Sequence, residues 1–281
     1  MTETRVVTEV SVEKMYLTLL KKSLTRSIAP ETFSAAEPWF RAIRWWFLPF
    51  QAFLMARGWI VVRREPLDST KRSEGRDWPL DAETMVGLKR LDNLQFCIES
   101  ILQDGVQGDF LEAGVWRGGA SIFMRGALKA YGDATRLVWL ADSFQGLPKA
   151  QSGVWRDDER VPLSDFRTLA VPLEQVRANF QRYDLLDDRV RFLPGWFQDT
   201  LATAPIERLA LLRLDGDMYE STKVSIDSLY PKLSVGGFCI VDDYYSVTGA
   251  RQAVTEYREQ HGIVDPIQQI DWSGAFWRRT A

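Results

Sequence analysis

The sequence predicts an α/β domain with a mostly parallel sheet and helices on both faces, preceded by an N-terminal helical extension. Three observations carry that expectation. From Gly108 onward, short apolar runs alternate with amphipathic stretches of helical spacing, the pattern of repeated strand–helix units. These runs end repeatedly in glycine or acid, as strands do where they open onto a ligand crevice. The chain has 281 residues, 46% hydrophobic and 26% charged, enough for one large domain with an appendage around an ordinary core.

In chain order, "MTETRVVTEV" lacks the basic-then-apolar layout of a signal peptide, so a cytoplasmic protein is expected. Residues 12–25 space Met15, Leu19 and Leu20 as a helix, with lysines opposite. Residues 39–64 hold Trp39, Trp45, Trp46 and Trp59, four phenylalanines, five arginines and no acid, so this block carries +5 and the remaining chain −8. A basic aromatic helix pair is expected there. It suits a subunit contact or cap, a peripheral membrane contact, or an anionic partner. Its stretch 45–56 is broken by Pro49 and is too short to span a bilayer, which takes about 20 residues. Residues 65–81 read as a connection, and a helix is expected over 83–103 with apolar positions from Met85 and Leu88 to Leu102. The division is therefore 1–82 as a helical extension and 83–281 as the α/β domain.

Within that domain the apolar runs begin at "DFLEAGV", "RLVWLADS", "VRFLPG", "RLALLRLDGD" and "GGFCIVDDY". Helices are expected at 119–131, near 172–183, and at 197–203, 220–232 and 248–260. "PIQQIDW" and "GAFWRRT" read as a closing hairpin. The segment 149–165 reads as a lid over the crevice. Net charge is −3 and the isoelectric point about 5.5, so the whole chain has no electrostatic case for nucleic acid. Two cysteines, Cys97 and Cys239, supply neither a sulfur-rich zinc site nor a disulfide framework.

The motifs all fall at strand ends. "EAGVWRGGAS" (112–121) turns tightly through Gly114, Gly118 and Gly119 into a helix. Such a turn fits a nicotinamide dinucleotide or S-adenosylmethionine. The spacing is not Gly-x-Gly-x-x-Gly, and Arg117 stands where a pyrophosphate turn wants a small side chain, which disfavours a nicotinamide-dependent sugar dehydrogenase. Asp142 follows Gly114 by 28 positions, where a carboxylate accepts both hydroxyls of an adenosyl ribose; Asp142 or Ser143 would otherwise cap a helix. Gly195 and Trp196 close the third strand and would pack against an adenine ring or in the core.

"LLRLDGDMYES" and "GGFCIVDDYYS" set Asp215, Asp217, Asp242 and Asp243 at adjacent strand ends. Taken singly, each acid reads as a helix cap. Converging together with no nearby lysine, they would repel unless a cation neutralised them, and all-oxygen ligands suit Mg²⁺. Such a cation would acidify a substrate hydroxyl and aim it at a sulfonium methyl in the neighbouring crevice. Asp215 is the expected base. His261, the one histidine, stands before Gly262 at a helix end and is not expected to take the proton. A non-catalytic, membrane-associated module on the same fold is the remaining alternative.

The motifs "MVGLKRLDNLQ", "EAGVWRGGASIFMR", "ADSFQGLP", "VRFLPGWFQDTL", "LRLDGDMYEST" and "PKLSVGGFCIVDDY", followed by "GARQAV" and "EYREQHGI", resemble the macrocin O-methyltransferase family, with its relatives that methylate mycinamicin and novobiocin sugars. The resemblance implies the seven-stranded class I S-adenosylmethionine-dependent methyltransferase fold and a Mg²⁺-dependent sugar O-methyltransferase. It also implies a homo-oligomer with N-terminal helices in its contacts. By position it places Glu112, Gly114, Ser121, Asp142 and Ser143 at the cofactor, Asp215, Asp242 and Asp243 at the metal, and Met85 and Leu88 along the pocket. A glycoside or glycolipid is the implied acceptor class.

Overall fold

The structure, a computed structural model, describes residues 11–36, 44–149 and 167–281. Residues 39–43, Trp39 among them, therefore lie outside the described residues, as does the expected lid from Ala150 to its end.

The chain opens with α1 (Val12–Leu24), capped by Ser11. Its Leu17, Leu20 and Leu24 are buried in the same apolar core as the sheet. Next come β1 (Glu31–Ala35), α2 (Arg44–Met55) and β2 (Val62–Pro66), with β1 and β2 paired antiparallel. The expected helix pair is thus one helix between two strands. Gly58, at φ +77, stops the helix, and the β-branched run Ile60–Val62 then favours extension. No described side chain of α2 is buried, and Trp45, Trp46, Phe50, Phe53 and Met55 are exposed. No described helix is long and apolar enough to cross a membrane.

The expected connection contains a short helix, α3 (Ser69–Glu74), capped by Asp68 and ended by Gly75 in the left-handed region. The long helix α4 (Leu88–Gln103) starts five residues later than the apolar spacing suggests. Glu83 is held out of a helix because its N–H donates to the Leu24 carbonyl and its carbonyl accepts from Gly119 N–H, both at 3.0–3.1 Å.

Beyond α4 the units are β3 (Asp109–Ala113), α5 (Gly119–Ala130), β4 (Val138–Asp142), α6 (Leu173–Arg182), β5 (Val190–Pro194), α7 (Phe197–Thr200), β6 (Leu209–Leu214), α8 (Tyr219–Leu229), β7 (Leu233–Val241) and α9 (Thr248–Gln260). The closing pair is β8 (Gln268–Gln269) and β9 (Ala275–Arg278). The seven-stranded sheet runs β5-β4-β3-β6-β7-β9-β8, with parallel pairing except at β9, which is antiparallel to both β7 and β8. The chain enters at β3, moves outward to β5 and returns to β6. The order reverses between β3 and β6, and there the helices diverge and leave a crevice beyond the strand ends.

Period-two alternation divides the core. Phe110, Leu140, Leu211 and Ile240 pack under α1, α4, α5 and α6, while Leu111, Ala113, Leu212 and Val241 pack under α8 and α9. Each fully buried large side chain, Phe110, Phe123 or Trp277 for example, contributes about 1.5–3 kcal/mol of transfer free energy. The same alternation puts Glu112 and Arg213, partners across β3 and β6, on the α4 face. That parity places charge at the crevice.

Candidate active site

The strand ends are tied to one another by main-chain bonds. Gly114 N–H donates to the Ala141 carbonyl (2.9 Å), Asp215 N–H to Ala113 (2.8 Å) and Asp242 N–H to Leu214 (2.9 Å). The loops that follow are thus fixed against a rigid edge. Over them lies a cavity of about 200 Å³, lined by Met85, Glu112, Gly114, Asp142, Asp215, Asp217, Asp242 and Asp243 among others.

On its β3–β4 side, Gly114 has φ +88, and a Cβ there would overlap the Asp215 carbonyl oxygen. Only glycine allows the two strand ends to approach so closely. Asp142 accepts from Val115 N–H (2.8 Å) and Phe144 N–H (2.7 Å), which fix its carboxylate at the edge of the cavity. Burial pushes its carboxyl up despite those bonds. An adjoining smaller cavity is lined by Asp142, Ser143 and Trp196.

Three of the expected residues are not among those lining either cavity. Ser121 is fully buried and donates to Glu112, while Leu88 and Gly195 also stand off the lining. Ser121 through Glu112, and Gly195 through its N–H bond to the Asp142 carbonyl (2.9 Å), brace lining residues from behind.

On the β6–β7 side, one carboxylate oxygen from each of Asp215, Asp242 and Asp243 lies within 4.8 Å of the others. Opposite oxygens around one hard cation, each at about 2.0–2.6 Å, have such separations. Asp243 Oδ2 is buried and has no hydrogen-bond partner among the described residues. An orphaned acceptor beside two more carboxylates fits a cation donor set.

Two arginines, which the sequence reading omitted, share this site. Arg213 donates from Nη1 to Glu112 (2.6 Å) and Asp215 (2.7 Å), and from Nη2 to Asp242. Arg90 of α4 reaches Asp242 and, from Nε, Asp271 (2.9 Å). The expectation of uncompensated acids is corrected accordingly. The compensation is unequal. Burial pushes Asp242 up, but Arg213 and Arg90 outweigh it and hold its carboxyl below the usual range. Burial, with the charge of Asp242, pushes Asp215 up against Arg213. Burial and then the charges of Asp215 and Asp242 push Asp217 up to about 8. Asp243 rises well above its ordinary value through burial and the three neighbouring acids. Burial also lifts Glu112 to about 7, against Arg213 and Ser121. Asp217 has the further mark of φ +55, a left-handed conformation that aspartate tolerates better than most residues.

His261 caps α9, bonds the Tyr257 carbonyl (2.8 Å) and stacks on the Tyr257 ring, away from the cavity. Tyr219 and Lys223 have the Tyr-x-x-x-Lys spacing of a dehydrogenase proton-transfer pair. Tyr219 bonds Glu256 (2.6 Å) and Lys223 pairs with Asp227, and neither lines the cavity.

A family model for macrocin-O-methyltransferase matches residues 13–279. The chain belongs to the macrocin O-methyltransferase family. Among members of this family, it is 53% identical over 268 residues to the 8-demethyl-8-(2,3-dimethoxy-alpha-L-rhamnosyl)-tetracenomycin-C 4'-O-methyltransferase of Streptomyces olivaceus, covering 95% of this chain and 93% of that protein. It is 55% identical over 213 residues to the mycinamicin III 3''-O-methyltransferase of Micromonospora griseorubida, covering 75% and 84%. The solved structure of the O-methyltransferase NovP superimposes with TM-score 0.83 at 44% identity, covering 96% of this chain and 100% of that one. The calicheamicin methyltransferase CalS11, 18% identical, shares the fold at TM-score 0.55 over 96% of this chain and 94% of its own. The chain is an O-methyltransferase on the class I S-adenosylmethionine-dependent methyltransferase fold.

Proposed function

We propose that this O-methyltransferase moves the methyl group of S-adenosylmethionine onto a sugar hydroxyl of a glycosylated small molecule, beside a divalent cation, Mg²⁺ by donor chemistry, held by Asp215, Asp242 and Asp243. The observation that carries it is the acid trio, with its orphaned Asp243 oxygen, in one cavity with the Gly114–Asp142 turn. The relatives' names point the same way, since they act on tetracenomycin, mycinamicin and novobiocin compounds.

In this reading Gly114 admits the nucleoside and Asp142 accepts its ribose hydroxyls. Ser143 and Met85 wall the site, and Trp196 lies flat against the base. Glu112, tied to Ser121 and Arg213, keeps the glycine turn in register with β6. When bound, S-adenosylmethionine supplies an electrophilic methyl on a sulfonium. When bound, the cation supplies charge neutralisation to the acids and lowers the pKa of an acceptor hydroxyl.

The proton role expected of Asp215 passes to Asp217. Arg213 holds Asp215 in an ion pair, whereas Asp217 lines the same cavity, two residues on, outside both the acid trio and the bonds of Arg213. Asp217→Asn is expected to lower kcat about 10²–10⁴-fold, the usual contribution of a general base, with nucleoside affinity unchanged. An equal loss of S-adenosylhomocysteine affinity, measured by calorimetry, would count against that role.

Thermal unfolding with S-adenosylhomocysteine, with and without Mg²⁺ and at pH 5 and 8, tests the whole reading. A ligand at 100 times its Kd adds roughly 2.7 kcal/mol. The cation effect has a definite sign with pH. Asp217 titrates near 8 in the folded chain against 3.8 ordinarily. Between those values the folded chain binds the extra proton, so metal-free stability falls as pH rises. The Tm gain from Mg²⁺ is therefore expected to be larger at pH 8 than at pH 5. No gain from the nucleoside would refute the cofactor assignment.

A further inference from the structure

We infer that Trp272 is the platform on which the acceptor's sugar ring stacks, an inference that deepens the proposed function and rests on it. Trp272 stands in the turn between β8 and β9, is 38% exposed and lines the cavity together with the acid trio. What ties it to the acid trio is its place in the turn beside Asp242. Both of its chain neighbours are tied to Asp242. Asp271 pairs with Arg90, which also reaches Asp242, and the Ser273 hydroxyl donates to the Asp242 carbonyl at 2.7 Å.

The indole is held before any ligand arrives. Its Nε1–H donates to the Glu74 carbonyl (2.8 Å), and the Arg76 and Arg90 guanidiniums lie over the ring, 4.6 and 5.9 Å from its centroid, so the sugar takes the part of the indole left open on the cavity. A ring fixed in this way loses little freedom on binding. Trp277, on the neighbouring strand β9, is by contrast a fully buried packing residue, whereas Trp272 keeps open surface on the cavity.

The chemistry of the two sides fits one class of ligand. A pyranose offers hydroxyls at its edge and C–H groups on its face. The acids and their cation take the edge, and an indole takes the face by dispersion. A 6-deoxyhexose, whose methyl group enlarges the apolar face, suits this pairing.

The test uses the full chain with S-adenosylhomocysteine and Mg²⁺, and methyl α-L-rhamnopyranoside as the probe, read by saturation-transfer NMR titration. Trp272→Ala is expected to weaken sugar binding about three- to tenfold, the range of an aromatic contact. Trp272→Phe, which keeps a stacking face but loses the Glu74 bond, is expected to stay within about twofold by the same estimate. Nucleoside affinity, measured by calorimetry, should not change in either variant. Sugar binding by Trp272→Ala equal to wild type overturns the platform, as does wild-type protein that binds the nucleoside but not the sugar. Loss of nucleoside affinity in Trp272→Ala overturns it too, because the residue would then be structural. Wild-type protein that does not bind the nucleoside overturns instead the methyl-transfer reading on which the platform rests.

Discussion

Asp243→Ala is expected to abolish methyl transfer, by at least about 10³-fold in kcat/KM, while leaving the metal-free protein no less stable than wild type. The two halves of this result have one cause. Asp243 carries a buried oxygen with no partner among the described residues, and its carboxyl is pushed well above its ordinary value by burial and then by Asp217, Asp215 and Asp242. A buried carboxyl oxygen without a donor costs stability, and the other oxygen has only a long bond from the Ser246 hydroxyl (3.3 Å) to lose, so deleting the group removes an unfavourable one. The same deletion takes one of three oxygens from the cation site. The variant should therefore keep or raise its Tm without metal, and lose the Tm gain that Mg²⁺ gives wild type. Differential scanning calorimetry with and without Mg²⁺, beside a turnover assay, reads both halves. Ordinary turnover in this variant would remove Asp243 from the site.

Gly114→Ala is expected to damage both stability and nucleoside binding. The residue has φ +88, where an L side chain is strained, and its added Cβ would overlap the Asp215 carbonyl oxygen, a backbone atom that cannot rotate aside. Strain of about 1–3 kcal/mol and overpacking of about 1–3 kcal/mol add on a single contact. The bond from Asp215 N–H to the Ala113 carbonyl, 2.8 Å long, lies beside it and would open. Urea unfolding should show a loss of about 3 kcal/mol, and S-adenosylhomocysteine affinity should fall at least about 100-fold. Wild-type affinity in a stable Gly114→Ala protein would mean that the turn does not cradle the nucleoside.

Much of this architecture was legible because each strand ended in a residue type that marks an end. Gly114, Asp142, Asp215 and Asp242 all fall where an apolar run stops, and the parallel order brings those ends to one edge. Arg213 is hard to read from sequence for the opposite reason. It sits inside the run "LALLRL", where a single cation looks like noise in a buried strand. Strand parity would have found it, since 213 and 215 share a face and 213 pairs with Glu112. Arg90 had no such signal. It lies on α4, and only the packing of that helix over the sheet brings it to Asp242 and Asp271.

The shape of the extension is not legible locally because β1 and β2 pair across a helix. Phe33 meets Arg64, and no local pattern announces a partner so far along the chain. The start of α4 was misplaced because Met85 and Leu88 keep helical spacing, while tertiary hydrogen bonds hold Glu83 extended against Leu24 and Gly119. In both places a long-range contact overrode a local preference.

In the proposed function the acid trio and the glycine turn form one site for cation-assisted methyl transfer. This is tested by transfer of labelled methyl from S-adenosylmethionine to glycosylated small molecules by the full chain, before chelation, after exhaustive chelation and after Mg²⁺ is restored. Activity is expected to disappear on chelation and return with Mg²⁺, while S-adenosylhomocysteine binding persists throughout. Undiminished transfer after chelation would remove the cation from the reaction and leave Asp215, Asp242 and Asp243 with none to hold.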